Sequence, residues 1–369
     1  MVTQKEDRDL SATVVNDDLG YPIVIADDAR IAIANFACER GKRIVFLCDE
    51  NPHVVRIARR IATALDVDQR DVLTFRLGES RKRLATVESV LDALLAARAD
   101  RTTLAIGVGG GVASDLFGFA AATYMRGIAY AHVATTLTAM ADAAIGGKTG
   151  VDVARGKNIA GAYRDPAAVF CEVSALETLP LRSLREGLAE IVKAGIVEGH
   201  DLFDTLETLS AHPFWQWPWV ELIAAAVKVK AMIVADDKLE SGMRELLNLG
   251  HTFAHAIETA SAYRITHGAA VAIGLRGCGL LALRTGRFSE PEHLRVLTLL
   301  ALFGMPLRTT VEPEGVFEAM LGDKKRRNGR LRFVLPRAIG DVEYGVECSD
   351  RAVRAVLARL RRSPEAVRR

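Results

Sequence analysis

Over the first 150 residues the apolar positions come in short unbroken runs: YPIVIA (21–26), KRIVFLCD (42–49), VLTFRL (72–77), TTLAIGVGGG (102–111) and AYAHVATT (129–136). Between them, PHVVRIARRIATAL (52–65) and ATVESVLDALLAARA (85–99) space their apolar residues at helical intervals. A strand apolar at every position needs cover on both faces, so this alternation predicts a parallel sheet between helices, a dinucleotide-type architecture. After about residue 180 the strand signal fades. Helical periodicity takes over in LREGLAEIVKAGIVEGHDLFDTLETL (184–209), VELIAAAVKVKAMIVADD (220–237), MRELLNLGHTFAHAIETA (243–260) and HGAAVAIGLRGCGLLALRTG (267–286). One strand, RLRFVLP (330–336), returns before a frayed basic tail. The pattern predicts an α/β plus all-α chain: a parallel-sheet domain at 1–178 and a helical domain at 179–369, with the boundary near LETLPLRS. No repeat or low-complexity linker separates the two, so they are expected to pack closely around a cleft.

The 369 residues are too many for one ordinary core, which agrees with two domains. A formal net charge of +2 gives no field for a polyanion, so the basic run DKKRRNGRLRFVLP (323–336) reads as a solvated face, and no nucleic-acid partner is expected. Five cysteines without a C-x-x-C point to a reducing compartment. The polar start has no signal-peptide core, and nowhere do eighteen apolar residues run together, so the expected location is the cytoplasm, with no membrane partner.

Candidate chemistry begins with NLGHTFAHAIE (248–258). His251 and His255, four apart on a helix, aim at one small volume, as a metal site or a proton relay requires; two buried histidines satisfied by backbone carbonyls would look the same. Arg244 and Asn248, seven and three residues before His251, are expected on the same face of that helix. GVGGGVASD (107–115) follows a strand and opens a helix, where glycines let backbone N–H groups approach a phosphate; a tight turn is the plain alternative. Lys148 and Lys157 sit beside glycines on expected loops, suited to an anion. Glu190 and Lys193 are three apart in GLAEIVKAG, an ordinary surface pair unless the helix is buried, in which case the carboxylate needs a cation. Glu190, one or both of His251 and His255, and His267 would make a His2Glu set with an open position for catalytic zinc. Spacing does not say which histidine of the pair takes part.

In order, GESRK (78–82), GGGVASDLFGFAAATYMRG, the TTL…GGKTGV…GKN…AGA segment, AEIVKAGI, RELLNLGHTFAHAIE, HGAAVAIG and the DKK…LRFVLP segment resemble the 3-dehydroquinate synthases, within the sugar phosphate cyclases, over roughly residues 20–345. The resemblance implies an N-terminal Rossmann-like domain, a C-terminal helical metal-binding domain, a homodimer, and NAD with Zn2+ or Co2+ as cofactors. It makes Glu190, His251 and His267 the metal ligands and leaves His255 for catalysis and phosphate contact. Asp49, Asn51, Glu79, Lys82, Gly110, Gly111, Asp115, Thr135, Thr136, Asp142 and Lys157 would line the NAD site. Lys148 would serve cofactor and substrate, and Asn158, Lys193, Lys230, Arg244, Asn248 and one of Lys324 and Lys325 the substrate. Arg126 would reach the partner subunit's phosphate pocket. The implied activity is a lyase reaction of the shikimate pathway: 3-deoxy-D-arabino-heptulosonate 7-phosphate is transiently oxidised, loses phosphate, is reduced again and closes to 3-dehydroquinate. Alternatives are another cyclase, of aminodehydroquinate or valiolone type, and a metal-dependent polyol dehydrogenase, which has no need of so many anion-directed cations. Three positions depart from the family pattern: Ala269 stands for a usual glutamate, Asp152 for asparagine and Ala134 for proline. Ala269 in particular removes a carboxylate expected to support His267.

Overall fold

The computed structural model describes residues 13–15, 19–39, 43–154, 156–240, 242–322 and 331–364. In chain order they form β1 (Thr13–Val15), β2 (Ile23–Ala26), α1 (Arg30–Cys38), β3 (Ile44–Asp49), α2 (Pro52–Ala64), β4 (Val72–Phe75), α3 (Leu84–Ala96), β5 (Leu104–Gly109), α4 (Gly111–Thr123) and β6 (Ala129–Ala134). There follow β7 (Lys148–Val153), β8 (Gly156–Tyr163), β9 (Val169–Glu172), α5 (Leu181–Glu198), α6 (His200–Leu209), α7 (Trp219–Asp236), α8 (His251–Ala260), α9 (His267–Arg284), α10 (Glu290–Leu302), α11 (Pro313–Leu321), β10 (Arg332–Ala338), β11 (Asp341–Glu347) and α12 (Asp350–Leu360). Two compact units result, one from the chain up to Leu184 with Pro218–Ala235, the other from Arg185–Trp217 with Asp236 onward. The chain thus passes between units at 184/185, 217/218 and 235/236, where the sequence reading has one boundary at 178/179. Most of α7, read from its periodicity as part of the helical half, groups with the sheet.

The first unit holds a seven-stranded sheet in the order β1-β2-β9-β6-β5-β3-β4, parallel except for the edge pair β1–β2. Successive residues of β3 show why its strands are apolar throughout: Val45 and Leu47 pack in one core with Val90, Leu94 and Phe117, while Phe46 and Cys48 pack in the other with Ile33, Ala58 and Ile61. Because α2 covers one face in joining β3 to β4, and α4 the other in joining β5 to β6, the chain winds in opposite directions from neighbouring strands. A crevice opens at the C-terminal ends of such a strand pair, where α/β sheets bind ligands. Asp49 ends β3 there and Gly109 ends β5. A β-carbon on Gly110 would lie 2.9 Å from Thr136 Cγ2, so glycine is needed for this turn to close against the Thr135–Thr136 segment. Lys148 and Lys157, expected on loops, instead lie in the antiparallel hairpin β7–β8; its small, glycine-rich residues carry little apolar alternation, which hides the strands from sequence.

In the second unit two expected continuous helices are broken. Gly199 (φ +119°) separates α5 from α6. Gly250 (φ +82°, left-handed) separates a 3-10 turn at Met243–Asn248 from α8, so Arg244 and Asn248 are not on the helix that carries His251. The left-handed conformation ends a right-handed helical path at little steric cost only for glycine. The break has a packing cause: α9 crosses at this point so closely that a β-carbon on Gly274 would come within 2.2 Å of the Gly250 carbonyl oxygen. The late strand expected at 330–336 is β10, paired with an unanticipated β11. Among the described residues, no helix is long and apolar enough to cross a membrane.

Candidate active site

Three helices of the second unit bring their polar residues to one place. Glu190 comes from the interior of α5, and His251 and His267 from the first positions of α8 and α9. One ligand atom from each lies within 4.8 Å of the others. Glu190 is 2% exposed, so the surface-pair alternative for Glu190 and Lys193 fails; Lys193, 3% exposed, puts Nζ 2.5 Å from Glu190 Oε2. Burial works against ionising this carboxyl, but the Lys193 ammonium, together with the hydrogen bond from His267, outweighs it and holds Glu190 well below the usual carboxylate range.

The histidine tautomers follow from their partners. His251 Nδ1 lies 3.1 Å from the Leu249 carbonyl oxygen, which can only accept, so the ring proton is there. Burial, with Lys193 close by, drives His251 well below its ordinary value, so it is neutral. Its Nε2 therefore points a lone pair at Glu190 Oε1, 3.6 Å away. Two acceptors facing each other in a buried place are unfavourable without a cation between them. His267 bridges two carboxylates, with Nε2 3.2 Å from Glu190 Oε1 and Nδ1 3.4 Å from Glu258 Oε2. Burial alone would disfavour its charge, yet the hydrogen bonds to Glu190 and Glu258 push it up to about 10. His255 stands apart from Glu190: its ring is 5.4 Å from that of His251 and 6.3 Å from that of His267, and it groups with Glu258 and His267.

Arg244 is buried, donating from Nη1 to the Lys238 carbonyl at 2.5 Å, while Asn248 Nδ2 donates to Glu240 Oε1 at 2.7 Å. The first unit holds the other expected residues in charged networks around the crevice. Lys82 is paired with Asp115 and also donates to Asn158 Oδ1 at 2.6 Å. Burial raises Asp115 even though Lys82 opposes it. Lys157 pairs with Glu79 at 2.5 Å, and Lys230, on α7, pairs with Asp142 at 2.6 Å. Asp142 lies in a π-helical turn, Ala139–Ala143, an irregularity frequent at functional places. Asn51 caps α2, its side chain accepting from the His53 amide at 3.0 Å. Gly110 caps α4 with no side chain to accept from the first-turn amides. Lys148 and Arg126 are exposed, whereas Lys324 and Lys325 lie outside the described residues.

Residues 72–186 match the family model described as 3-dehydroquinate synthase N-terminal, and residues 187–326 the one described as 3-dehydroquinate synthase C-terminal. The chain belongs to the 3-dehydroquinate synthase family. Curated 3-dehydroquinate synthases include one from Halorhodospira halophila, 43% identical over 87% of this chain and 91% of that one, and one from Gloeobacter violaceus, 38% identical over 92% and 96%. The structure of 2-epi-5-epi-valiolone synthase from Streptomyces hygroscopicus subsp. jinggangensis, with NAD+ and Zn2+ bound, is similar with a TM-score of 0.83 at 30% identity, covering 94% of this chain and 98% of that one.

Two departures from the 3-dehydroquinate synthase pattern have a physical explanation. Asp152 accepts the Asn158 amide at 2.8 Å, holding that residue in a left-handed turn (φ +51°); aspartate and asparagine both carry the needed oxygen, so the bond survives the exchange. Ala269 is the third residue of α9, after the N-cap Thr266, which makes no side-chain cap. A glutamate at that position would reach back to the Thr266 amide as in a capping box, which alanine cannot do, while the carboxylate facing His267 is Glu258. We expect Ala269→Glu to raise stability by about 0.5–1 kcal/mol, read as a higher Tm; an unchanged or lower Tm would refute the capping account. Glu258 is the residue that sequence reasoning passed over. Its only signal was a carboxylate closing the histidine helix, and its partner lies nine positions away across a turn.

Proposed function

We propose that this chain is a phosphate-eliminating carbocyclase, a lyase that uses NAD+ and a divalent ion, Zn2+ or Co2+, to convert 3-deoxy-D-arabino-heptulosonate 7-phosphate to 3-dehydroquinate and phosphate. The observation that carries the reading is the facing of Glu190 Oε1 and the neutral Nε2 of His251, beside His267, in a chain of this family. One carboxylate and two imidazoles suit such an ion and leave positions open for substrate. The glycine turn before α4, with no side-chain cap at Gly110, suits a pyrophosphate. When bound, the ion polarises adjoining hydroxyl oxygens of the sugar, and NAD+ takes and later returns a hydride.

The chain's own residues bind, orient and move protons. Asp49, Asn51, Glu79, Lys82, Gly110, Gly111, Asp115, Thr135, Thr136, Asp142, Lys148 and Lys157 serve the NAD site. Lys148, Asn158, Lys193, Lys230, Arg244, Asn248 and one of Lys324 and Lys325 hold the carboxylate, hydroxyls and phosphate of the substrate. Lys193, whose Nζ lies 2.5 Å from Glu190 Oε2, would share the neutralising of that carboxylate with a bound ion and present its remaining N–H donors to an anion. His255 accepts and returns a proton at a ring nitrogen near the leaving phosphate. Arg126, exposed and left-handed (φ 69°) after the left-handed Met125 (φ 49°), is assigned to the phosphate pocket of the partner subunit in a cytoplasmic homodimer. The test is phosphate release from the heptulosonate phosphate by metal-loaded protein with catalytic NAD+. One phosphate per dehydroquinate, without NADH accumulation and abolished by chelation, is the expected result. Release only from sedoheptulose 7-phosphate or the amino analogue would assign a sister cyclase, and steady NADH production from simple polyols would assign a dehydrogenase.

The proton on His267 makes metal binding pH-dependent. In the metal-free chain His267, raised from about 6.5 to about 10, contributes stability fully present below about pH 6.5 and lost as pH rises through 10. An ion that uses Nε2 displaces this proton, so apparent Zn2+ affinity should fall about tenfold per unit on acidification from pH 8.5 to 6.5. Calorimetry in buffers of different ionisation enthalpy should show about one proton released; a pH-independent affinity would sink the assignment.

A further inference from the structure

The reaction proposed above leaves the carboxylate of Glu258 without a role. It lies on α8, 2% exposed, two turns beyond His251. A carboxylate so buried is costly unless something answers its charge. Its Oε2 faces His267 Nδ1 at 3.4 Å, on the side of the ring opposite the nitrogen that faces Glu190. The two histidines are therefore held differently: His251 Nδ1 by the neutral Leu249 carbonyl, His267 Nδ1 by a full negative charge. His267 also needs more support. Both histidines begin their helices, but the His267 side chain is 35% exposed against 9% for His251, so surrounding atoms restrain its ring less.

We propose that Glu258 is a positioning residue for the divalent ion. It accepts the Nδ1 proton of His267, holds the ring with Nε2 toward Glu190 and His251, and makes that nitrogen the more basic donor of the two imidazoles. The inference rests on the metal reading above. It also accounts for the tolerance of alanine at position 269, because the supporting charge reaches His267 from α8 and not from its own helix. A competing use of the same atoms exists, since His255, Glu258 and His267 also lie close enough to hold an ion. An ion there would compete with the Nδ1 proton for the same lone pair, and the test separates the two.

The full chain is stripped of metal and titrated with Co2+ against a chromophoric chelator, with visible absorption recorded, for the parent, Glu258→Gln and Glu258→Ala. Glutamine still accepts the Nδ1 proton without the charge, so affinity should fall roughly tenfold; alanine removes both and should cost about a hundredfold. The Co2+ bands should shift in both variants, which a loss of fold stability alone would not produce while far-UV circular dichroism is unchanged. If the alanine variant does not fold, the glutamine variant decides alone. Equal affinity and identical bands would overturn the inference, as would two Co2+ per parent chain falling to one in the variants, which makes Glu258 a ligand. A parent chain that binds no Co2+, with a native circular dichroism spectrum, would overturn the metal reading itself.

Discussion

His251→Ala should leave a protein that retains no Zn2+ through dialysis and turns over the heptulosonate phosphate at least about 10^3-fold more slowly. Removing Nε2 leaves one imidazole and one carboxylate on the ion, too few donors to compete with water and buffer. A Lewis acid at the reacting oxygens contributes several kcal/mol to the barrier, and 10^3 corresponds to about 4 kcal/mol. The decisive comparison is His255→Ala. Its ring groups with Glu258 and His267 and not with Glu190, so that variant should retain its metal while losing roughly 10^2- to 10^4-fold in turnover, the range of a displaced proton carrier. Metal content by elemental analysis and phosphate release, measured on both, separate the roles. Metal lost from the His255 variant and kept by the His251 variant would reverse the assignment.

Gly274→Ala should destabilise the second unit by about 3 kcal/mol and lower Tm by roughly 5–10 °C. The added methyl would sit 2.2 Å from a backbone oxygen of Gly250, where no rotamer change offers relief. The crossing of α8 and α9 has to open, and these two helices carry His251, His255, Glu258 and His267. Zn2+ affinity should therefore fall along with Tm, even though position 274 bears no ligand. Gly315→Ala is the matched control: nothing lies within 4 Å of its β-carbon position and it sits inside α11, so that variant should be neutral or slightly stabilising. A Gly274 variant as stable as the control would show that the crossing can relax.

Much of this protein was legible in its residues because the relevant signals are local. Runs apolar at every position, such as IVFLC (44–48), require cover on both faces and so announce a central parallel strand. The four-residue spacing of His251 and His255 is a property of one helix, as is the three-residue spacing of Glu190 and Lys193. The hairpin β7–β8 was not legible, because its glycines and alanines carry no alternation. Nor were the breaks at Gly199 and Gly250, since a glycine inside a helical pattern is equally consistent with a tolerated helix residue. The break at Gly250 also removes Arg244 and Asn248 from the face that a continuous helix would give them.

Backbone periodicity alone settles which segments are apolar on two faces or on one, and which ionisable residues lie within a helical turn of each other; these were in the sequence. Tertiary structure decided everything that depends on residues far apart in the chain meeting in space. It buried Glu190 so that its pair with Lys193 is not a surface pair. It set Nε2 of His251 and His267 toward Glu190 through partners at Leu249 and Glu258, and returned α7 to the sheet unit so that Lys230 meets Asp142. The physical reason is that a histidine's tautomer, a carboxylate's charge and a lysine's partner are set by burial and by neighbours from other helices, and no spacing along the chain records which helices those will be.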